Sequence, residues 1–176
     1  MAAITPVPKE QADASVHGLY DSMTKRLGFM PQFYGLMAHR PNVLAKFIDL
    51  YKAIMSEGTV EARYKELVYL KTAQVNGCEY CFKAHAGSGK KAGITSEHIQ
   101  ALQFYQRSDQ FDEKEKAAIL LAERLTRGAS ALRDGALEDL KQFFTEDQIV
   151  ELVLVAAVAN FTNRVNDGLR AVPDLG

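Results

Sequence analysis

The sequence predicts an all-α fold, and three observations predict it. Apolar residues recur at helical spacing in nearly every segment. Capping and stopping residues punctuate those segments, and no stretch sustains the two-residue alternation of a strand. At 176 residues and 47% hydrophobic content, the chain is long enough to bury one core as a single domain. A formal net charge of -1 offers no basic field to a nucleic acid or an anionic membrane. No apolar run approaches the roughly 20 residues of a bilayer span. The opening residues MAAITPVPKE lack the apolar core of a secretory signal, and two cysteines do not make an extracellular disulfide framework. A reducing cytoplasm is the expected setting, where a Cys-x-x-Cys pair points to catalysis.

Taken in order, residues 1–8 form an extended arm, because Pro6 and Pro8 disfavour helix. Residues 9–27 read as a helix with Val16, Leu19, Tyr20, Met23 and Leu27 on one face and Gly28 as its stop. Pro31 suits the first turn of a short helix to about His39, itself a surface or capping residue. Pro41 opens a longer helix carrying Leu44, Phe47, Ile48, Tyr51, Ile54 and Met55, with Gly58 near its end. Residues 61–75 form the next, ended by Asn76-Gly77, and residues 79–91 another, closed by Gly93. Thr95 or Ser96 caps a helix to about Tyr105, with His98 exposed on it. Asp112-x-x-Glu115 is a capping box before a helix to Arg127, and a shorter helix covers about 134–144. Thr145-x-x-Gln148 is a second box, opening a final helix to about Leu169. From Ile149 to Phe161 that helix is apolar nearly all round, so it is buried in the core or between subunits. Its end carries Asn160, Asn163, Arg164 and Asn166, either a hydrogen-bonded junction or a solvated end. A shift of 85 residues lays Glu66-Leu67-Val68 on Glu151-Leu152-Val153, which suggests a duplicated helical unit that a difference in helix-turn geometry would refute.

The chemistry concentrates in residues 66–85, ELVYLKTAQVNGCEYCFKAH. Cys78 falls at or just before a helix N-terminus and Cys81 in its first turn, where unpaired N–H groups and the helix dipole favour a thiolate. A disulfide at this spacing is feasible. His85 is one turn beyond Cys81 on the same face, able to hold or relay a proton, and Glu66 from the preceding helix can orient it. The same residues have other readings. A Cys-x-x-Cys with His85 can bind zinc, but a closed site needs a fourth ligand, which would be Glu66 or a distant His. Haem attachment needs His directly after the second cysteine, where Phe82 stands. Free cysteines can be inert core residues, and a lone Glu is usually solvated.

The pattern Glu66-x11-Cys78-x2-Cys81-x3-His85 resembles the AhpD-like alkylhydroperoxidases of the carboxymuconolactone decarboxylase superfamily. Residues 27–47, LGFMPQFYGLMAHRPNVLAKF, and 160–174, NFTNRVNDGLRAVPD, are similar to the two ends of its peroxidase-related branch, so the resemblance covers nearly the whole chain. It implies an AhpD-like multi-helix bundle, one domain over residues 1–176 with a redox core at about 42–128, assembling as a trimer or hexamer. It also implies a hydroperoxide reductase for antioxidant defence, with Cys81 peroxidatic, Cys78 resolving, and Glu66 and His85 in a proton relay. Its substrate would be a hydroperoxide and its electron donor a lipoyl protein or a thioredoxin-like dithiol, with neither metal nor organic cofactor. The best-studied branch has His before the second cysteine; here Tyr80 occupies that place, so the relay is expected to be shorter or wired differently. Two other functions compete. A carboxymuconolactone decarboxylase-like lyase would not depend on the cysteine pair. A redox sensor or dithiol–disulfide oxidoreductase would use the pair without peroxide turnover.

Overall fold

In the computed structural model, which describes residues 3–56, 58–128, 132 and 136–174, nine α-helices follow one another. They are α1 His17–Leu27, α2 Gln32–Met37, α3 Pro41–Met55, α4 Ala62–Asn76, α5 Glu79–Gly89, α6 Ser96–Ala101, α7 Glu113–Gly128, α8 Ala136–Lys141 and α9 Glu146–Gly168. No strand occurs among the described residues, so the all-α expectation holds.

α4 is the axis of the bundle. Every residue from Leu67 to Ala73 is buried, because α5, α7 and α9 pack around it. An α-helix without a wet face in its middle needs its polar side chains satisfied inside, and this is done at Lys65 and Lys71. The Lys65 ammonium donates to the carbonyls of Ile54 (2.9 Å) and Ser56 (2.6 Å) and pairs with Glu151 of α9. Lys71 donates to Gln74 and lies over the Tyr105 ring, 4.8 Å from its centroid. α9 lays Leu152, Val155, Ala156 and Ala159 into the core. By length and mean hydropathy α9 is the one described helix able to cross a membrane, although no sequence run suggested it. Here its apolar inner face is used against the core, as the burial of those four residues shows.

Both capping boxes form, at Thr145–Gln148 and at Asp112–Glu115, where Glu115 N donates to Asp112 Oδ1 at 2.7 Å and Asp112 N to Glu115 Oε2 at 3.0 Å. The helix expected over residues 9–27 is shorter. Two 3₁₀ turns, Lys9–Gln11 and Ala14–Val16, replace its first half. Asp13 is extended and its carboxylate accepts from Ser15 N at 2.9 Å, a local bond that competes with helix and delays the start to His17. Pro31, expected inside α2, caps it with an extended ψ of 137°. His98 is half-buried rather than exposed, because Nδ1 completes the Thr95 capping box while Nε2 meets Arg63 at 2.9 Å. The start of the helix expected near residue 134 lies outside the described residues; α8 begins at Ala136. α9 is not buried all round, since Val150, Leu154 and Phe161 are 59%, 46% and 44% exposed. The duplicated unit fails its geometric condition. α4 ends at Gly77 and the chain turns, whereas α9 runs unbroken through the equivalent point to Gly168.

Candidate active site

The site is built on the corner between α4 and α5. Gly77 closes α4 at φ 72°, a left-handed conformation that suits glycine. Cys78 N then reaches back to the Ala73 carbonyl at 2.9 Å and Gly77 N to Gln74 at 3.2 Å, so only Gly77 and Cys78 separate α4 from α5. Cys78 is the N-cap of α5 and Cys81 lies in its first turn, as their spacing predicted. Both thiols are free and buried.

α9 passes beneath them with its asparagines. Asn166 Nδ2 donates to Cys81 Sγ at 3.2 Å, and Thr162 Oγ1 is 4.0 Å from the same sulfur. Asn76 Nδ2, from the end of α4, donates to Asn160 Oδ1 (3.0 Å) and Asn163 Oδ1 (2.8 Å). The polar end of α9 is therefore a junction rather than a solvated end. It is incomplete: Asn163 Nδ2, Asn166 Oδ1 and Thr72 Oγ1 are buried and lack hydrogen-bond partners among the described residues.

This surrounding divides the two thiols. The hydrogen bond with Cys78 is the main influence lowering Cys81, burial opposes it, and the Asn166 and Asn163 amides and the His85 charge add to it, bringing the thiol to about 6. The hydrogen bond with Cys81 pushes Cys78 up, and burial pushes it further. At pH 7 a thiol of pKa 6 is roughly 90% thiolate, against about 1% for an ordinary one near 9. The surroundings thus favour the thiolate at Cys81 and the protonated thiol at Cys78.

A second polar chain lies beside the pair. His85 Nδ1–H donates to Glu66 Oε2 at 2.8 Å, and Ser88 Oγ–H donates to the same oxygen at 3.0 Å. His85 Nε2 faces the Tyr51 hydroxyl of α3 at 3.2 Å. Tyr69 stacks on the imidazole, centroids 3.4 Å apart and planes 12° apart, and its hydroxyl bonds to Thr162. Glu66, Tyr51 and Tyr69 therefore hold the ring from both nitrogens and one face. Among the described residues no group of three or more His, Cys, Asp or Glu is arranged to hold a metal.

Cys81, His85, Glu66 and Tyr51 open on one cavity of about 590 Å³. Phe29, Phe33, Tyr34 and Met55 form apolar walls, and Arg26, Lys83 and Lys91 supply positive charge. The C-terminal tail closes one side. Tyr80 Oη donates to Asp174, Phe33 N donates to Tyr80 Oη at 3.2 Å, and Gln32 N donates to Asp174 Oδ1 at 2.9 Å. Tyr80 is thus bonded to the tail and lies outside the hydrogen-bonded chain of Glu66, His85 and Tyr51.

Of the residues singled out from sequence, Cys78 adjoins Cys81, and Glu66 and His85 meet directly. Cys81 and His85 share the cavity without a mutual hydrogen bond among those described. Tyr51, Tyr69 and Thr162 were missed as site residues. Tyr51 looked like one more core position of an amphipathic helix, and only its hydroxyl distinguishes it. Asn166 had a signal, a polar residue on a helix otherwise apolar, but nothing tied it to the cysteines.

Residues 41–124 match the model of the Carboxymuconolactone decarboxylase family. The uncharacterized protein YdfG of Bacillus subtilis (strain 168) is 29% identical over 127 residues, 72% of this chain and 86% of that protein. The fold is shared with an uncharacterized peroxidase-related protein of Ralstonia eutropha JMP134, described as an alkylhydroperoxidase AhpD core, at TM-score 0.87 and 18% identity, over 99% of this chain and 93% of that one. It is shared equally with the debrominase Bmp8 in complex with 2,3,4-tribromopyrrole, at TM-score 0.83 and 21% identity, over 98% and 91%.

Proposed function

We propose, from the match of residues 41–124 to the Carboxymuconolactone decarboxylase family model and from the fold shared with an AhpD core, that the chain is a thiol-dependent alkyl hydroperoxide reductase. The observation that carries this reading is the division of labour within the pair: a lowered Cys81 thiol at the cavity wall, and a raised Cys78 thiol buried behind it. Cys81 thiolate attacks the outer oxygen of RO–OH. The S–O bond forms, the O–O bond breaks, and the leaving oxygen takes a proton as ROH. Cys78 then displaces water from the sulfenic acid, giving the Cys78–Cys81 disulfide. A partner dithiol returns two electrons and two protons; a lipoyl protein or a thioredoxin-like protein has the required chemistry. The single domain would act in antioxidant defence in the cytoplasm.

The test is peroxide consumption with dithiothreitol, alongside mass spectrometry of the Cys78–Cys81 peptide before and after one equivalent of peroxide. Disulfide formation with turnover supports the reading. Disulfide formation without turnover favours a redox sensor or dithiol oxidoreductase, and a pair that stays reduced ends the proposal. Survival of an acid–base activity after thiol blocking would favour a lyase.

A second reading draws support from the aromatic cavity walls and the debrominase of like fold. The same dithiol can reduce an aryl bromide to the arene, releasing bromide and a proton as the disulfide forms. Bromide release from a bromopyrrole without peroxide turnover would favour it. A homo-oligomer, trimer or hexamer, is supported by the exposed apolar stripe Val150, Leu154 and Phe161 on α9. Sedimentation equilibrium measures it directly.

A further inference from the structure

Breaking a peroxide bond leaves an alkoxide, which is a poor leaving group unless a proton reaches it as the bond opens. His85 is the obvious store for the proton that Cys81 gives up, and although the residue lines the cavity its ring nitrogens are both engaged. Its Nδ1 is engaged by Glu66, one ring face is covered by Tyr69, and its Nε2 is covered by the Tyr51 hydroxyl at 3.2 Å. Tyr51 itself lines the cavity shared with Cys81. The Tyr51 hydroxyl is therefore the hydrogen-bonded neighbour through which Nε2 can exchange a proton with a substrate in that cavity.

We propose that Tyr51 is a catalytic residue: its hydroxyl hands its proton to the oxygen that leaves as the peroxide bond breaks, and is refilled from His85 Nε2. The inference rests on the thiol peroxidase reading and adds to it the general acid. The balance is complete. The proton lost by Cys81 resides on His85. When the thiolate forms the S–O bond, the O–O bond breaks and sulfur is oxidised by two electrons. Tyr51 protonates RO⁻ to ROH, and the imidazolium Nε2–H passes to Tyr51 Oη, leaving neutral His85 bonded to Glu66.

The surroundings favour a relay over a lasting phenolate. Burial holds Tyr51 well above the ordinary phenol range, and the neighbouring Tyr34, Glu66 and Cys81 charges push the same way, while Arg26 opposes them. The titratable groups facing Tyr51 are therefore Arg26 from α1, Tyr34 from α2, Glu66 and Tyr69 from α4, and Cys81 and His85 from α5. A hydroxyl so placed releases a proton only as it receives one. Tyr69 cannot substitute for it, because its hydroxyl is committed to Thr162.

The experiment compares the full-length wild-type chain with Tyr51→Phe, which keeps the ring contacts to Phe47 (5.6 Å) and Tyr69 (6.5 Å) and deletes only the hydroxyl. Single-turnover oxidation of Cys81 is measured with tert-butyl hydroperoxide, whose leaving group needs a proton, and with peracetic acid, whose acetate does not. The expected result is a loss of about 100-fold with tert-butyl hydroperoxide, in the usual range for general acid catalysis. With peracetic acid the variant should stay within about threefold of wild type, which also shows that it is folded and its thiolate intact. Equal losses with both oxidants would make Tyr51 a packing or positioning group and overturn the proposal. Unchanged rates with both would overturn it while leaving the peroxidase reading in place. A wild-type chain inert to both oxidants would end the peroxidase reading itself.

Discussion

The α4–α9 pair carries two buried polar clusters, one near each end. Near the start of α4, Lys65 and Glu151 form a closed system. The ammonium has two carbonyls and a carboxylate, and that carboxylate also accepts from Thr59 N (2.8 Å) and Val60 N (3.2 Å). Near the end of α4, the Asn76–Asn160–Asn163–Asn166 cluster is open. Among the described residues two of its amide atoms lack a hydrogen-bond partner, one of its donors is spent on a sulfur, and a cavity adjoins it. Both clusters fix the same two helices, but only the open one has capacity left to stabilise a charge that changes during a reaction. A saturated buried network is structural; an unsaturated one beside a nucleophile is where chemistry can be driven.

Substitution at the two ends should separate these roles, beginning with the largest effect. Cys81→Ser should remove peroxide turnover, by about a thousandfold or more, while urea unfolding shifts by less than about 1 kcal/mol. Full turnover in this variant would reverse the assignment of the pair. Lys65→Met should do the opposite. It strands Glu151 without its cation and should cost about 3 kcal/mol of stability, with turnover per folded molecule unchanged. A loss of turnover without a loss of stability would mean that the two ends are not separable.

Smaller effects test how the open cluster tunes the thiol. Iodoacetamide alkylation of Cys81 should rise through a midpoint near pH 6, because only the thiolate reacts, while Cys78 stays unreactive across that range. Cys78→Ala removes the main influence holding Cys81 low, so the midpoint should move upward; Asn166→Ala should move it the same way by less. A midpoint that ignores both changes would remove the division of labour proposed for the pair. The smallest effect is expected at Tyr80→Phe. It removes the Tyr80–Asp174 bond, with Gln32 N still donating to Asp174, and leaves the Glu66–His85–Tyr51 chain intact, so peroxide turnover should stay within about threefold of wild type. A large loss there would place Tyr80 in the chemistry after all.

How far the site could be read from the sequence follows from chain distance. Glu66, Cys78, Cys81 and His85 lie within 20 residues, on two helices joined by a single corner. Local rules suffice there: a glycine in the left-handed region, a helix start, a four-residue return to the same face. Tyr51 and Asn166 lie far from Cys81 along the chain and reach it only through packing, and their residue types are unremarkable on amphipathic helices. Where the reading differed, residues 9–16 lost their helix to a local Asp13–Ser15 bond, and His98 was drawn inward by Arg63 from across the bundle.

By itself, the sequence determined the helices, their caps and the placement of two thiols at a helix start, because each depends on neighbours within a turn or two. Tertiary structure alone decided which thiol is held low, which group covers the imidazole, and which polar cluster stays unsaturated. Those outcomes depend on burial and on partners that α3 and α9 bring across the bundle, and no local pattern carries that information.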